Sequence, residues 1–236
     1  MSDSFKTNGE LSDEYSTKVY SNAGNIALID MLSTATRFLD IGCGTGDNAV
    51  LVKTKFETAS IQGVTYSNSE GEIAKKRMKK CWVFNIEQAL PIELEAEKFD
   101  CLIFSHVLEH LRDPAKTLAR FSSLLCHGGQ VLIAVPNILS WRMRIRFLMG
   151  DFTYESAGEL DDTHLRFFTY LTADKYLLSE CQDLEIVRKT VSGSVPLWWL
   201  RRYILPRRWA AKIDQWACKQ WPNLFGDQVL LKVVKR

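Results

Sequence analysis

Apolar residues fall in short runs that alternate with longer stretches of helical spacing. Seven of these runs are rich in the β-branched, aromatic and aliphatic residues that strands favour. They cover residues 37–41, 60–65, 81–84, 99–105, 130–135, 184–191 and 228–234. Helical stretches lie between most of them at the spacing of crossover connections. This alternation predicts a mostly parallel sheet flanked by helices.

The helix before the fifth run carries clear terminal signals. Asp113 is suited to cap this helix and Pro114 to occupy its first turn, while Gly128 and Gly129 are predicted to end it. A further helix is predicted from about residue 172 to about residue 181.

Two long segments, residues 137–170 and 192–225, interrupt the alternation of predicted strands and helices. Their length favours functional insertions over plain connections, and we expect them to build a helical lid. In the second segment, Trp209, Ile213 and Trp216 share one helical face, and basic residues occupy another. Residues 197–221 could therefore contact a membrane surface, or the helix could cover the sheet with its basic ends in water. Both alternatives remain open at this stage.

Composition narrows the class of protein. The chain has 236 residues, 46% of them hydrophobic, so residues 1–236 are expected to form one domain with insertions. A formal charge of +2, from 30 basic and 28 acidic residues, argues against a nucleic-acid partner. The polar start, and the lack of an apolar run approaching ~20 residues, predict a cytoplasmic protein. The 6 cysteines are scattered without a C-x-x-C pair and are expected to be reduced.

A glycine-rich loop follows the first predicted strand, where residues 40–46 read Asp-Ile-Gly-Cys-Gly-Thr-Gly. Glycines are needed where the backbone approaches a ligand so closely that a Cβ would collide with it. Asp40 stands at the carboxyl end of the strand, where open parallel sheets bind their ligands, and it can face a cation. A dinucleotide fingerprint would need glycine in place of Asp47, and acids here disfavour a pyrophosphate. The loop therefore favours a cationic sulfonium cofactor.

Residues 38–46 resemble the first motif of class I S-adenosylmethionine-dependent methyltransferases of the small-molecule type 11/12 kind. Residues 99–105 and 107–114 resemble the fourth strand and the following turn of that family, and the resemblance extends over about residues 15–136. It implies a doubly wound, Rossmann-like α/β fold with a seven-stranded, mostly parallel sheet, its last strand antiparallel, plus helical lid insertions. It also implies an enzyme that uses S-adenosylmethionine and releases S-adenosylhomocysteine.

The resemblance assigns cofactor contacts to the ends of four strands. The methionine portion is assigned to Asp40, Gly42, Cys43, Gly44 and Gly46, the ribose to Thr65 and Tyr66, the adenine to Asn85 and Ile86, and the region of the reacting methyl to Ser105. Thr65 and Asn85 depart from the family pattern, because an acid is more common at each position. They would act through neutral hydrogen bonds without the assistance of a charge.

Residues 161–169 concentrate acids, a histidine and an arginine before a predicted helix, and resemble the segment beside the acceptor pocket in such methyltransferases. Removing a proton from a hydroxyl acceptor requires a base with a pKa near neutrality, which favours histidine. We expect His164 to be this base, Arg166 to bind an anionic group of the acceptor, and His106 to face the pocket as a second catalytic and acceptor-binding residue. Alternatively, Asp162 and Arg166 pair to fix the loop while His164 caps the next helix.

The predicted function is methyl transfer to a small-molecule, glycan or lipid-linked acceptor, at oxygen. One alternative is a catalytically idle protein that binds the cofactor and serves a partner, and another is a cyclopropane-forming lipid enzyme, suggested by residues 63–67. A third is a zinc hydrolase, because His106, Glu109 and His110 fit H-x-x-E-H. That pattern needs a long helix, and the segment between strand and helix start is short, so no metal site is predicted. No oligomeric state is predicted.

Overall fold

The computed structural model describes residues 23–197 and 206–236. Its strands occupy the stretches in which apolar and β-branched residues cluster. They are β1 (Arg37–Ile41), β2 (Ser60–Thr65), β3 (Lys80–Val83), β4 (Phe99–Ser105), β5 (Leu125–Pro136), β6 (Leu184–Gly193) and β7 (Gly226–Lys235). The bounds of β1, β2 and β4 are those predicted, because each is a short segment rich in apolar residues that ends at turn residues.

The strands form a 7-stranded sheet in the order β3-β2-β1-β4-β5-β7-β6. The pairs within β3-β2-β1-β4-β5 are parallel, and β7 runs antiparallel to both β5 and β6. The strand order reverses direction between β1 and β4. In open α/β sheets, ligands bind beyond the carboxyl ends of the strands at such a switch point. The predicted doubly wound fold is therefore confirmed.

Helices cover both faces of the sheet. They are α1 (Ile26–Ile29), α2 (Asp47–Lys55), α3 (Asn68–Ala74), α4 (Ile92–Glu95), α5 (Pro114–Ser122), α6 (Trp141–Leu148), α7 (Ala173–Leu177), α8 (Arg207–Gln220) and α9 (Pro222–Phe225), with a 3₁₀ helix at Leu108–His110. Alternate strand residues face two apolar layers, so that Leu39 and Phe38 belong to different ones. Burial on both faces explains why apolar residues occupy successive positions within β1, β4 and β5.

The predicted end of α5 is wrong. Asp113 caps the helix by accepting a hydrogen bond from the Lys116 amide, as predicted, but the helix ends at Ser122. Gly128 and Gly129 lie within β5, where the register with β4 shifts. Gly128 has φ +75°, which glycine adopts without strain, and so the pair serves a bulge in the strand. The helix predicted at 172–181 is shorter than expected, Ala173–Leu177.

The insertion at 137–170 contains α6, which lies against the start of β7. The indole Nε1 of Trp141 donates to the Ser194 carbonyl at 2.8 Å. The guanidinium of Arg142 is 3.3 Å from the Asp227 carboxylate. The first contact joins the two insertions predicted to form a lid, and the second joins the first insertion to β7.

The helix predicted around Trp209 forms as α8, and it packs against β6. It buries the small residues Ala217 and Cys218, whereas the side chains of Trp209 and Trp216 are 53% and 57% exposed. The tryptophan face is thus not the one that covers the sheet. Residues 198–205 of the predicted membrane-contact segment lie outside the described residues. Within the described ranges, no helix is both long enough and apolar enough to cross a membrane.

Candidate active site

The glycine loop bends sharply away from the end of β1. Gly42, Gly44 and Gly46 have φ values of +73°, +51° and +87°, a region in which an L side chain is strained. The amides of Gly42 and Cys43 both donate to the Val64 carbonyl, at 2.8 and 2.9 Å. The loop is therefore held against the end of β2, and Gly42 is exposed at the carboxyl edge of the sheet.

Asp40 is fully buried beside this loop. Its Oδ1 accepts a hydrogen bond from the Asn48 amide at 3.5 Å, while Oδ2 has no hydrogen-bond partner among the described residues. Burial raises the pKa of Asp40 to about 7, against the opposing effect of Asn48. A buried carboxylate with an unpaired oxygen is unfavourable unless a donor or cation reaches it. The position therefore fits a ligand that carries positive charge.

The ends of β2 and β3 lie side by side because these strands pair in parallel. The Thr65 hydroxyl donates to the buried carboxylate of Glu70 at 2.8 Å, so its proton is already engaged. Tyr66, the next residue, is 44% exposed at the same edge. Asn85 Oδ1 accepts from the backbone N–H two residues later at 2.9 Å, and Ile86 is buried. Of the two ribose candidates, Tyr66 is the more accessible.

His106 follows the half-buried Ser105 at the end of β4 and has a positive φ of +54°, which is uncommon outside glycine. Its Nδ1 lies 3.3 Å from Glu109 Oε1, and its Nε2 lies 2.9 Å from Gln228 Oε1. Burial opposes the charge on this ring, but Glu109 outweighs it and the pKa of His106 is raised. Both ring nitrogens face acceptors, an arrangement that favours the doubly protonated ring over one with a lone pair for a base.

A chain of amide side chains joins the glycine loop to His106. The backbone N–H of Asn25 donates to Asn48 Oδ1 at 2.9 Å, and the Asn25 side chain donates to Gln228 Oε1 at 2.8 Å. Asn48 in turn contacts Asp40, and Gln228 contacts His106. The sequence analysis missed these three amides. No motif marks them, and Asn25 and Gln228 are 203 residues apart.

The 3₁₀ helix after β4 holds the segment that carries His164. The Glu109 carbonyl accepts from the backbone N–H groups of Leu165 and Arg166 at 2.9 and 3.0 Å. His164 is thereby buried against His110, with ring centroids 4.7 Å apart. Burial lowers the pKa of His110, which favours a neutral ring. Two histidines, 54 positions apart in the numbering of the chain, thus share one buried site beside β4.

Arg166 acts in the structure as an anchor. Its guanidinium donates to the carbonyls of Leu165 and Arg112, at 3.1 and 2.5 Å. These bonds fix the segment of residues 161–169 near the start of α5. These bonds agree with a loop-fixing role, although the partners are backbone carbonyls and not Asp162, and binding of an anionic acceptor group by Arg166 stays a prediction.

The helical geometry of the zinc-hydrolase alternative is absent from residues 105–113. His106 lies in a left-handed turn, and the helix that follows comprises the three residues Leu108–His110 in 3₁₀ form. An H-x-x-E-H site needs its ligands one α-helical turn apart on one face. That arrangement does not form here.

The strand order and the glycine loop after β1 are those of a class I S-adenosylmethionine-dependent methyltransferase. A family model described as "Methyltransferase domain" matches residues 14–177, and the chain belongs to that family. An S-adenosylmethionine-dependent methyltransferase from Archaeoglobus fulgidus superposes with a TM-score of 0.58 at 20% identity, over 89% of this chain and 90% of the other. The plantazolicin methyltransferase BpumL, solved with S-adenosylhomocysteine, gives 0.55 at 17% identity over 86% and 77% of the two chains.

Curated relatives match over shorter stretches. An O-methyltransferase of Pyrenophora dematioidea is 29% identical over 43% of this chain and 40% of its own length. A trans-aconitate 2-methyltransferase of Methylobacterium nodulans is 31% identical over 46% and 41%. A ubiquinone biosynthesis O-methyltransferase of Chromobacterium violaceum is 29% identical over 43% and 44%. The chain thus aligns with less than half the length of each of these relatives.

The chain therefore has a methyltransferase domain, and a neighbour of the same fold was solved with S-adenosylhomocysteine. Its glycine loop fits S-adenosylmethionine, because Gly42 is exposed at the end of β1 and Asp40 keeps an unpaired buried oxygen. Bound S-adenosylmethionine would supply an already activated methyl group. The residues of the chain therefore have to bind, align and exclude water.

Proposed function

We propose that this enzyme methylates an oxygen of a small-molecule acceptor, and that His164 is the base that receives the hydroxyl proton. The observation that carries this proposal is the orientation of the His164 ring. Its Nδ1 lies 3.2 Å from the Glu159 carbonyl, which can only accept, so Nδ1 carries the proton. Nε2 then keeps a lone pair at a buried position beside the end of β4. That lone pair is what a general base requires.

His106 has a different role in this proposal. Both of its ring nitrogens donate, to Glu109 and to Gln228, so it acts as a fixed positive group that orients the acceptor side of the site. Cofactor contacts are proposed for Asp40 and the glycine loop around the methionine portion, for Tyr66 and Thr65 at the ribose, and for Asn85, Ile86 and Ser105 as the resemblance implies. The location of these residues at neighbouring strand ends supports the assignment.

An amphiphilic acceptor, lipid-linked or carrying a glycan, agrees with the surface of the second insertion. Trp209, Trp216 and Trp221 are each more than half exposed, and Lys212 lies near the Trp209 ring at 5.5 Å. Exposed tryptophans beside basic side chains are typical of surfaces that meet the headgroup region of a membrane. The named O-methyltransferases among the relatives support oxygen as the atom that is methylated.

Isotope-labelled S-adenosylmethionine, incubated with the protein and a cell extract, tests the reaction. We expect a labelled product whose methyl group is on oxygen, and much less of it with Asp40→Asn when the cofactor concentration is near the Kd of the unmodified protein. A labelled amine, or a labelled cyclopropane, would contradict the proposed acceptor atom. Cofactor binding without any product in extracts fractionated from cytosol and membranes would favour the idle-protein alternative.

His164→Ala tests the base. We expect kcat to fall by about a hundredfold or more, while the affinity for S-adenosylhomocysteine measured by calorimetry is unchanged. His127→Ala is the matched control, because His127 is exposed at the opposite edge of the sheet. Equal rates for the two variants would remove His164 from the mechanism.

A further inference from the structure

Three potential metal ligands converge at the acceptor side of the site. Glu109, His110 and His164 each offer one ligand atom, and these atoms lie within 4.8 Å of one another. Glu109 and His164 are buried and His110 is half-buried. Glu109 and His110 belong to the turn after β4, and His164 comes from the first insertion. The group is therefore assembled by the fold, at the edge of the sheet where the acceptor is expected.

The hydrogen bonds around His110 fix its tautomer as well. Thr163 Oγ1 donates its single proton to the Asp161 carboxylate at 2.6 Å, so the hydroxyl can only accept from His110 Nδ1, which lies 2.8 Å away. His110 Nε2 is then left with a lone pair, as His164 Nε2 is. Metal-binding histidines commonly have one ring N–H held in this way while the other nitrogen binds the ion.

The buried carboxylate of Glu109 gives a third, independent indication of a cation. Its side chain is 1% exposed, and Oε2 has no hydrogen-bond partner in the part of the chain that the structure describes. Oε1 is held by His106, which fixes the direction of the carboxylate. An unpaired carboxylate oxygen in a buried cluster with two imidazoles is unfavourable without a cation.

We propose that Glu109, His110 and His164 bind a divalent cation of the Zn²⁺ type. Two imidazole nitrogens and one carboxylate oxygen suit Zn²⁺ and its transition-metal neighbours, and suit Mg²⁺ poorly. Three protein ligands leave a coordination position open, which an acceptor oxygen can fill. This inference rests on the proposed transfer of a methyl group to oxygen, and it replaces His164 as the base, because a ligand of the ion cannot also take the proton.

The ion changes how the acceptor proton is lost. A hydroxyl bound to a divalent cation has a lowered pKa, so its O–H bond breaks with release of the proton to water. The oxygen then forms its bond to the methyl carbon as the carbon–sulfur bond breaks, and S-adenosylhomocysteine leaves with that electron pair. His164 Nε2 binds either the ion or the proton, so its roles as ligand and as base exclude each other.

Titration of the full chain, freed of metal by chelator and dialysis, with ZnCl₂ in a calorimeter tests the site. We expect about one Zn²⁺ per chain, with MgCl₂ binding far more weakly. Glu109→Gln keeps the shape of the side chain and should weaken Zn²⁺ binding by about tenfold or more, as should His164→Ala. His127→Ala, which removes an exposed histidine, should bind as the unmodified chain does.

Substitutions of Thr163 test whether its hydrogen bond with His110 positions that histidine to bind Zn²⁺. Thr163→Val removes the acceptor for His110 Nδ1–H and should weaken Zn²⁺ binding by about tenfold, whereas Thr163→Ser should restore it. No saturable Zn²⁺ binding by the unmodified chain would overturn the proposal, even if the variants fail to fold. So would unchanged affinity in a folded Glu109→Gln.

The same samples separate this inference from the proposed function. S-adenosylhomocysteine binding and O-methyl transfer by metal-free protein, at rates that ZnCl₂ does not change, would leave the methyltransferase intact with His164 as its base and would refute the metal site. Zn²⁺ binding by the three residues without transfer to any oxygen acceptor would support the site and refute the proposed acceptor.

Discussion

Asp40→Asn is expected to stabilise the cofactor-free protein while it weakens cofactor binding. The Asp40 carboxyl is fully buried, and its pKa rises from an ordinary 3.8 to about 7 in the folded chain. Each pH unit between these values corresponds to about 1.4 kcal/mol, so the ionised carboxylate costs about 4 kcal/mol above pH 7. Asparagine has nearly the same shape and no charge to bury.

The sign and the pH window follow from the direction of the shift. Below pH 3.8 the carboxyl is protonated in both folded and unfolded chains, and the penalty is absent. Between 3.8 and about 7 the unfolded chain ionises first, so the free energy of unfolding falls as pH rises. Above about 7 the penalty is complete. From pH 5 to pH 8, the stability advantage of Asp40→Asn should therefore grow by about 2.5 kcal/mol.

Urea unfolding at pH 5, 6, 7 and 8 measures this difference directly. Asp30→Asn is the matched control, since Asp30 is exposed and its substitution should give the same small effect at every pH. Calorimetry at pH 8 should give an affinity of Asp40→Asn for S-adenosylhomocysteine that is about ten to a hundred times lower, because a charged hydrogen bond is lost. Stability curves of Asp40→Asn and unmodified protein that run parallel across this pH range would refute the reasoning.

Two further substitutions test the loop and the core. Gly42→Ala would set a Cβ 2.6 Å from Val107 Cγ2, whereas Gly128→Ala, at a similar φ, meets nothing within 4 Å. We expect calorimetry to give at least about a tenfold loss of S-adenosylhomocysteine affinity for Gly42→Ala alone, and equal affinities would contradict this. Leu118→Ala, at a fully buried position, should lower the free energy of unfolding by about 2–5 kcal/mol in urea. Leu148→Ala, at a residue that is 89% exposed, should change it by about 0.5 kcal/mol or less, and similar losses would refute the core assignment.

Local signals in the sequence determined the strands and the glycine loop. Each buried parallel strand contains a short cluster of apolar residues, and such a cluster can be located without knowledge of its neighbours. The loop after β1 is equally local, because positive φ angles within a few residues require glycine wherever the chain folds. These signals also carried the family resemblance, and the family model confirms it. Gly128 and Gly129 show the limit of such local signals. A glycine pair suits either the end of a helix or a bulge in a strand, and here the pairing of β5 with β4 selected the bulge.

The arrangement of the acceptor side was decided by tertiary structure alone. His164 meets His110 because two backbone amides of its segment donate to the Glu109 carbonyl, and such bonds leave no mark in the identity of the residues. Gln228 reaches His106 because β7 runs antiparallel beside β5 and β6, which brings its first residues to the carboxyl edge. His164 and His106 could be identified from the sequence as candidate site residues. Only the fold determines which ring nitrogen is free, because the hydrogen-bond partners that fix each tautomer lie on other elements of the chain.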